Sequence, residues 1–371
     1  MNKETLFQQR LKLKEKQFGL TTQDIEGLSR EEIYKRIAQS IGHTRISIIQ
    51  LENDNLLIQK HESDNPTESH YDRVYGPLLY SLEKQGKIIL GDFLLETTSG
   101  NAGISFAWIA GKLGYQTAVF MPDRLMTTEP RIVELQHLTD LHLIQSGDTF
   151  LKACAEAMME YRKQLRQIDP NKRIWSPNHS QNDTTTQALT SMIEEVNKQI
   201  PKAGLKQIDF FIAGIGNGST IYGPGQRLKN LYPNTQVIGF EPFNACPYFR
   251  QYKGKWGTIA PNLTRDQVTS NLYSGHQLLG TGSFGNIHFP FVQKAITEGI
   301  IDDICVVNEG PLLPELQTQY NEPLPLEKRQ GNTSLIARYI AEKMAKTIRE
   351  KVFLTLVYDR ADRYGEVQYT K

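Results

Sequence analysis

Phe210-Phe211-Ile212-Ala213-Gly214-Ile215-Gly216-Asn217-Gly218-Ser219-Thr220 reads, in that order, as an apolar strand, a glycine turn and the first turn of a helix. Glycines at 214, 216 and 218 leave backbone N–H groups uncovered, and a helix N-terminus adds positive potential. Such a junction cradles a phosphate, with Ser219 and Thr220 as further hydroxyl donors. A purely structural glycine turn has the same composition. A dinucleotide reading also stands open, because Glu241 ends the next strand about 25 residues on, where a ribose-binding acid belongs. Gly-x-Gly-x-Gly is nevertheless only part of the Gly-x-Gly-x-x-Gly fingerprint.

A second junction of this kind lies upstream, in Glu96-Thr97-Thr98-Ser99-Gly100-Asn101-Ala102-Gly103, after an apolar strand and before a helix running to Gly114. Its small residues admit a ligand to the backbone at the positive end of the helix dipole, although Ser, Thr and Asn are also ordinary helix caps. Around these two junctions, apolar runs alternate with helical segments. Strands are expected at Leu56–Ile58, Phe93–Leu95, Thr117–Met121, Leu141–Ile144, Phe210–Ala213, Val237–Phe240, Ile304–Val307 and Val352–Val357. Helices are expected at 102–112, 149–167, 185–199, 220–229, 290–298 and 333–349. That alternation predicts the α/β class, with mostly parallel sheets flanked by helices. Residues 1–40 read as a charged helical extension, in which Ser29 and Glu32 have capping-box spacing and Ile33, Tyr34, Ile37 and Ala38 form an apolar stripe before Gly42.

The 371 residues carry 42 Lys+Arg against 41 Asp+Glu, a formal net charge of +1, so there is no broad basic field for a nucleic acid. Length and composition predict two packed units. No apolar run is long enough for a membrane span, and the first residues lack the apolar core of a signal peptide, so a cytoplasmic setting is expected. Cys154, Cys246 and Cys305 lie far apart without ligand spacing, which predicts core thiols and no metal site.

Other segments fall into one series with the two junctions: Ile41-Gly42-His43-Thr44, Val237-Ile238-Gly239-Phe240-Glu241-Pro242, Gly280-Thr281-Gly282, Gly331-Asn332-Thr333-Ser334 and Asp359-Arg360-Ala361-Asp362-Arg363-Tyr364. Taken in order, these resemble the cysteine synthase and cystathionine β-synthase family, the fold-type II enzymes dependent on pyridoxal phosphate. The resemblance runs over nearly the whole chain from about residue 41. It implies a tryptophan synthase β-like architecture: a large cofactor domain of 41–74 plus 184–371, and a small mobile domain of 75–183 carrying the Ser-Gly-Asn loop. It further implies that Thr98, Ser99 and Gly100 hold the substrate carboxylate and Asn101 the ring oxygen. Gly216, Asn217, Gly218, Ser219 and Thr220 would form the phosphate cup, and Thr333 or Ser334 would face the ring nitrogen. A homodimer is implied as well.

The family's decisive motif is Asn-Pro-x-x-Ser-x-Lys-Asp-Arg, whose lysine holds the cofactor as an imine. Here the segment reads Asn65-Pro66-Thr67-Glu68-Ser69-His70-Tyr71-Asp72-Arg73, with Tyr71 in the lysine's place. A phenol cannot form that imine, though Tyr71 can donate a hydrogen bond or act as an acid or base. Lys60, Lys84 and Lys87 read as surface charges or satisfied structural pairs. If the segment is extended, His70 and Tyr71 point to opposite faces. The resemblance and the missing amine together imply a protein that binds pyridoxal phosphate, or its adduct with an amino acid, non-covalently: a pseudoenzyme or a member with altered chemistry. Two alternatives stay open. One is an active lyase or transferase on an O-activated serine-like amino acid that uses Tyr71. The other is a regulatory protein that binds a carboxylate or the C-terminal peptide of a partner.

Overall fold

Short runs rich in Phe, Ile and Val must bury both faces of a parallel strand, and in the computed structural model they assemble into two sheets covered by helices. The structure describes residues 5–123, 130–145, 150–252, 257, 259, 263–270, 278, 280–281 and 289–364. The strands are β1 (Ile46–Gln50), β2 (Leu56–His61), β3 (Phe93–Thr97), β4 (Gln116–Pro122), β5 (Asp140–Ile144), β6 (Ile174–Trp175), β7 (Phe210–Gly214), β8 (Gln236–Pro242), β9 (Asp303–Val307) and β10 (Val352–Val357).

The chain divides into two compact units, Met1–His43 with Ser63–Ala188, and Thr44–Glu62 with Leu189–Lys371. Among the described residues, the second unit holds a six-stranded sheet in the order β1-β2-β10-β7-β8-β9, antiparallel only at β1–β2. Leu57, Ile212, Phe240 and Phe353 from this sheet pack with Leu335, Ile336 and Ile340 of the helix Asn332–Ala345. Phe210 stacks on Phe353 with ring centroids 4.9 Å apart. The first unit holds a four-stranded parallel sheet, β5-β4-β3-β6. Phe93, Leu95, Ala118 and Phe120 form its core with Cys154 and Tyr161 of the helix Phe150–Ile168. The helix Asn101–Lys112 is buried almost all round, from Ala102 to Ala110.

All the expected strands form, most of them a residue or more longer than their apolar runs. β1 and the two-residue β6 were not expected: β1 follows a short half-buried pattern, and β6 is too brief to show a period. The last expected helix stops at Ala345 instead of 349, because the side-chain amides of Asn53 and Asn55 donate to the Ala345 carbonyl, each at 3.0 Å. The extension forms helices at Leu6–Gln17, Thr22–Ile25 and Arg30–Ser40, the last capped by Ser29. Tyr34 and Ile37 of the expected stripe are buried, Ile33 is half-buried, and Ala38 is exposed.

Contacts group residues 63–74 and the extension with 75–183, whereas the resemblance put 41–74 with the larger domain. Side-chain bonds account for the grouping. Gly42 N–H donates to Asn65 Oδ1 at 2.8 Å, the Thr67 hydroxyl lies 2.8 Å from that of Ser105, and Arg10 pairs with Glu68. Among the described residues, no helix is long and apolar enough to cross a membrane, and no cluster of His, Cys, Asp and Glu is placed to hold a metal ion.

Candidate functional site

In the second unit, β7 ends at Gly214 and the helix Ser219–Leu231 begins directly after Gly218. The glycines here are required by close approach. A Cβ on Gly216 would lie 2.3 Å from the Gly280 carbonyl oxygen, and Gly218 has φ +88° with Val292 packed against it. Asn217 Oδ1 accepts from Ser219 N–H at 2.9 Å and from the Ser219 hydroxyl at 2.7 Å, so these two side chains brace the turn. The backbone, at a helix start whose amides lack intrahelical partners, is what remains to face an anion. Thr220 stands in the first helical turn, largely buried. Thr333 packs its methyl toward Gly214, 3.3 Å from where a Cβ would stand. Ser334 is fully buried and accepts from Tyr358 N–H at 3.0 Å, which leaves its own O–H to donate. Gly280 and Thr281 are described, while Gly282 lies outside the described residues.

Glu241 is not a ribose ligand here. Its carboxyl accepts from Phe249 N–H at 2.9 Å and Tyr248 N–H at 3.4 Å, and burial pushes it up to about 8. The dinucleotide reading loses its acid. The three cysteines are buried, and burial raises each thiol, to about 12 for Cys154 and Cys246.

In the first unit, Thr98 Oγ1 accepts from Gly100 N–H at 3.0 Å and Gly103 N–H at 3.1 Å, so this hydroxyl closes the Ser-Gly-Asn loop on itself. Gly100 has φ +138°, a conformation essentially reserved for glycine, and a Cβ there would meet Arg131 Cδ at 2.9 Å. Arg131, buried on the helix Pro130–Leu138, donates to the Ser99 carbonyl at 3.3 Å. Ser99 and Asn101 are half-buried, and Asn101 begins the helix. Arg131 is a support that sequence reading missed, since nothing in its local pattern ties it to a loop some thirty residues upstream.

The segment from Asn65 to Arg73 is folded, not extended. Asp72 is buried and accepts from both the backbone N–H and the hydroxyl of Thr67, the former at 2.7 Å. Tyr71 caps the helix Asp72–Lys84 with φ −67° and ψ −18°. In that conformation the neighbouring rings come together instead of pointing apart: His70 and Tyr71 have centroids 4.2 Å apart at 37°. Tyr71 also meets His179 edge to face, at 5.5 Å and 89°. Burial, with the nearby charge of Glu96 adding to it, pushes the Tyr71 phenol up to about 12.

The three other lysines considered are either engaged or exposed. Lys60 is fully buried in the second unit, and its Nζ donates to Glu195 Oε2 at 2.7 Å, the Thr44 carbonyl at 2.6 Å and Gln199 Oε1 at 3.1 Å. Lys84 lies over the Tyr80 ring at 5.1 Å, and both Lys84 and Lys87 are exposed.

A family model described as "Pyridoxal-phosphate dependent enzyme" matches residues 37–299. Cysteine synthase of Staphylococcus aureus is 31% identical over 213 residues, 56% of this chain, and the chain spans only 64% of that relative's length. A probable cysteine synthase of Bacillus subtilis is 26% identical over 342 residues, covering 90% of this chain and 96% of its own. Among solved structures, a hydrogen sulfide-producing enzyme from Fusobacterium nucleatum superposes with TM-score 0.72 at 21% identity, over 92% of each chain. An O-acetylserine dependent cystathionine β-synthase from Helicobacter pylori gives 0.70 at 22%, over 90% of this chain and 98% of its own. These two likenesses carry the fold, and the fold is that of the fold-type II enzymes. With the glycine cup, the Ser-Gly-Asn loop and the buried Ser334 in the same order as the motifs, the chain belongs to the pyridoxal-phosphate dependent enzyme family.

Proposed function

We propose that this protein holds pyridoxal phosphate, or its adduct with an amino acid, without a covalent link to the chain, and that it does not carry out ordinary lysine-dependent β-replacement. Tyr71 in the lysine's place is the observation that carries this reading, because the motif around it is otherwise complete and Lys60 spends its amine on Glu195.

The residues present fit the group except at that one point. Gly216 and Gly218 form a cradle that a Cβ would fill, at the start of a helix whose amides suit a phosphate. The Ser334 O–H has a direction left for an acceptor such as a pyridine nitrogen. By the family resemblance, Asn101 would meet the ring oxygen and Thr98, Ser99 and Gly100 the carboxylate of a small amino-acid-like ligand. Bound pyridoxal phosphate would supply an electron sink for bonds to an amino acid's α-carbon.

The chain's own contribution is to bind and orient. With its phenol pushed up to about 12, Tyr71 is neutral at physiological pH, a hydrogen-bond donor and a weak base. The alternative of an active lyase or transferase that uses Tyr71 would need its imine formed elsewhere or supplied by the ligand, because a phenol cannot form one. A regulatory protein that takes a partner's C-terminal carboxylate in the same loop remains the second reading, supported by a Ser-Gly-Asn turn that Arg131 and Thr98 hold in shape at a helix start. A homodimer, as the resemblance implies, and a cytoplasmic setting complete the proposal.

Purified full-length protein should bind pyridoxal phosphate in equilibrium dialysis, and treatment with borohydride should leave no lysine carrying the reduced cofactor by mass spectrometry. A stoichiometric lysine adduct overturns the proposal.

A further inference from the structure

The first unit contains a buried cluster that the family's motifs do not name. Glu96 on β3 is 2% exposed and His179 is 5% exposed. His179 Nδ1 lies 3.2 Å from Glu96 Oε2 and 3.0 Å from the hydroxyl of buried Tyr75. The carboxylate is pinned by backbone: Thr97 N–H donates to Oε1 at 3.0 Å and His179 N–H to Oε2 at 3.4 Å. Tyr71 packs against the same imidazole, and Nε2 has Ser180 Oγ at 3.5 Å.

A carboxylate oxygen can only accept, so with Glu96 Oε2 beside Nδ1 the arrangement is satisfied when Nδ1 carries the hydrogen and donates it to the Tyr75 hydroxyl. A neutral ring in that tautomer has its lone pair on Nε2. This is the logic by which a carboxylate orients an imidazole as a base. A site without the lysine has a particular need for such a group. Its amino acid cannot exchange onto an existing imine; it must meet an aldehyde as a free amine, while in water at neutral pH it is an ammonium ion.

We propose that His179 is the base that takes this proton, with Glu96 and Tyr75 as positioning residues that hold it as the Nδ1–H tautomer. The inference rests on the amino-acid ligand of the proposed function. In the step, one N–H bond of the ligand's ammonium group breaks and its electron pair stays on the amine nitrogen. Nε2 gains the proton, and the imidazolium charge is balanced by Glu96. No oxidant or second reactant is required.

The test is NMR of the full-length protein labelled with 15N-histidine, before and after L-serine, with and without pyridoxal phosphate. The resonances of His179 are those lost in His179→Gln. Tyr75→Phe, which removes one acceptor while keeping the ring, provides a second assignment should that variant fail to fold. Free protein should show a protonated Nδ1 and a bare Nε2, and Glu96→Gln should convert this to a tautomer mixture. L-serine should then shift Nε2 to the protonated position at constant pH. A hydrogen on Nε2 in the free protein overturns the assignment. Binding of L-serine that leaves Nε2 bare also overturns it, yet leaves the proposed function standing. Failure of L-serine to move any histidine signal likewise overturns the assignment, while the proposed function stands or falls on the dialysis against pyridoxal phosphate.

Discussion

Arg10, in the first helix of the extension, grips the carboxylate of Glu68 with two guanidinium nitrogens, NH2 to Oε2 at 2.9 Å, and Glu68 stands in a left-handed conformation, φ +58°, three residues before Tyr71. The N-terminal extension thus ties down the very turn that presents the substituted position. Glu15 adds a second tie, accepting from the indole of Trp108 at 2.8 Å and from Lys112 at 2.7 Å on the helix behind the Ser-Gly-Asn loop.

Replacing Arg10 with alanine should leave the buried Glu68 carboxylate without this partner, lowering stability by about 1–3 kcal/mol. Hydrogen exchange of residues 65–73 should accelerate while that of β7 and β10 stays as it was. Equal acceleration in all three would show that the effect is global and not a release of the turn.

Gly216→Ala places a Cβ 2.3 Å from a backbone carbonyl oxygen that cannot swing aside as a side chain would. Overpacking of this kind costs about 1–3 kcal/mol. Affinity for pyridoxal phosphate should fall by more than about tenfold, since a shift costing 1.4 kcal/mol in the cup already has that effect. Dialysis against the cofactor measures it, and unchanged affinity would remove Gly216 from the phosphate cup.

Glu241 makes stability depend on pH in the direction opposite to most carboxylates. Its folded value, about 8, stands above the 4.5 of the free group, so the folded chain keeps a proton that the unfolded chain releases. Stability should therefore fall as pH rises from about 4.5 to about 8 and level off beyond, by up to about 5 kcal/mol for a fully buried group. Glu241→Gln should flatten that part of the curve in urea titrations at several pH values. An identical slope in the variant would assign the dependence to other groups.

The sheets were legible because their strands are short apolar runs that need both faces covered, as Phe210 to Ala213 shows, and the glycine turn after them because only glycine permits such approach at 216 and 218. The substitution at Tyr71 could be read directly. Its surroundings could not. Assuming an extended segment separated His70 from Tyr71, whereas Asp72 bonding back to Thr67 folds the segment and joins their rings. Glu96 and His179 are 83 positions apart and Arg10 and Glu68 are 58 apart, and neither pair has a local signature. Pairings of that range are set by how elements pack, which a single sequence does not record.

The tilted packing of Tyr71 against His70 and its edge contact with His179 also bear on what a Tyr71→Lys variant would meet. A lysine placed at position 71 would exchange a flat ring, packed against two imidazoles, for a flexible ammonium group set among those imidazoles and near the carboxylate beside His179. Positions 71 and 179 are thus in ring contact, and a change at one alters the packing of the other. For a lysine at 71 to fit, the residue at 179 would have to change with it.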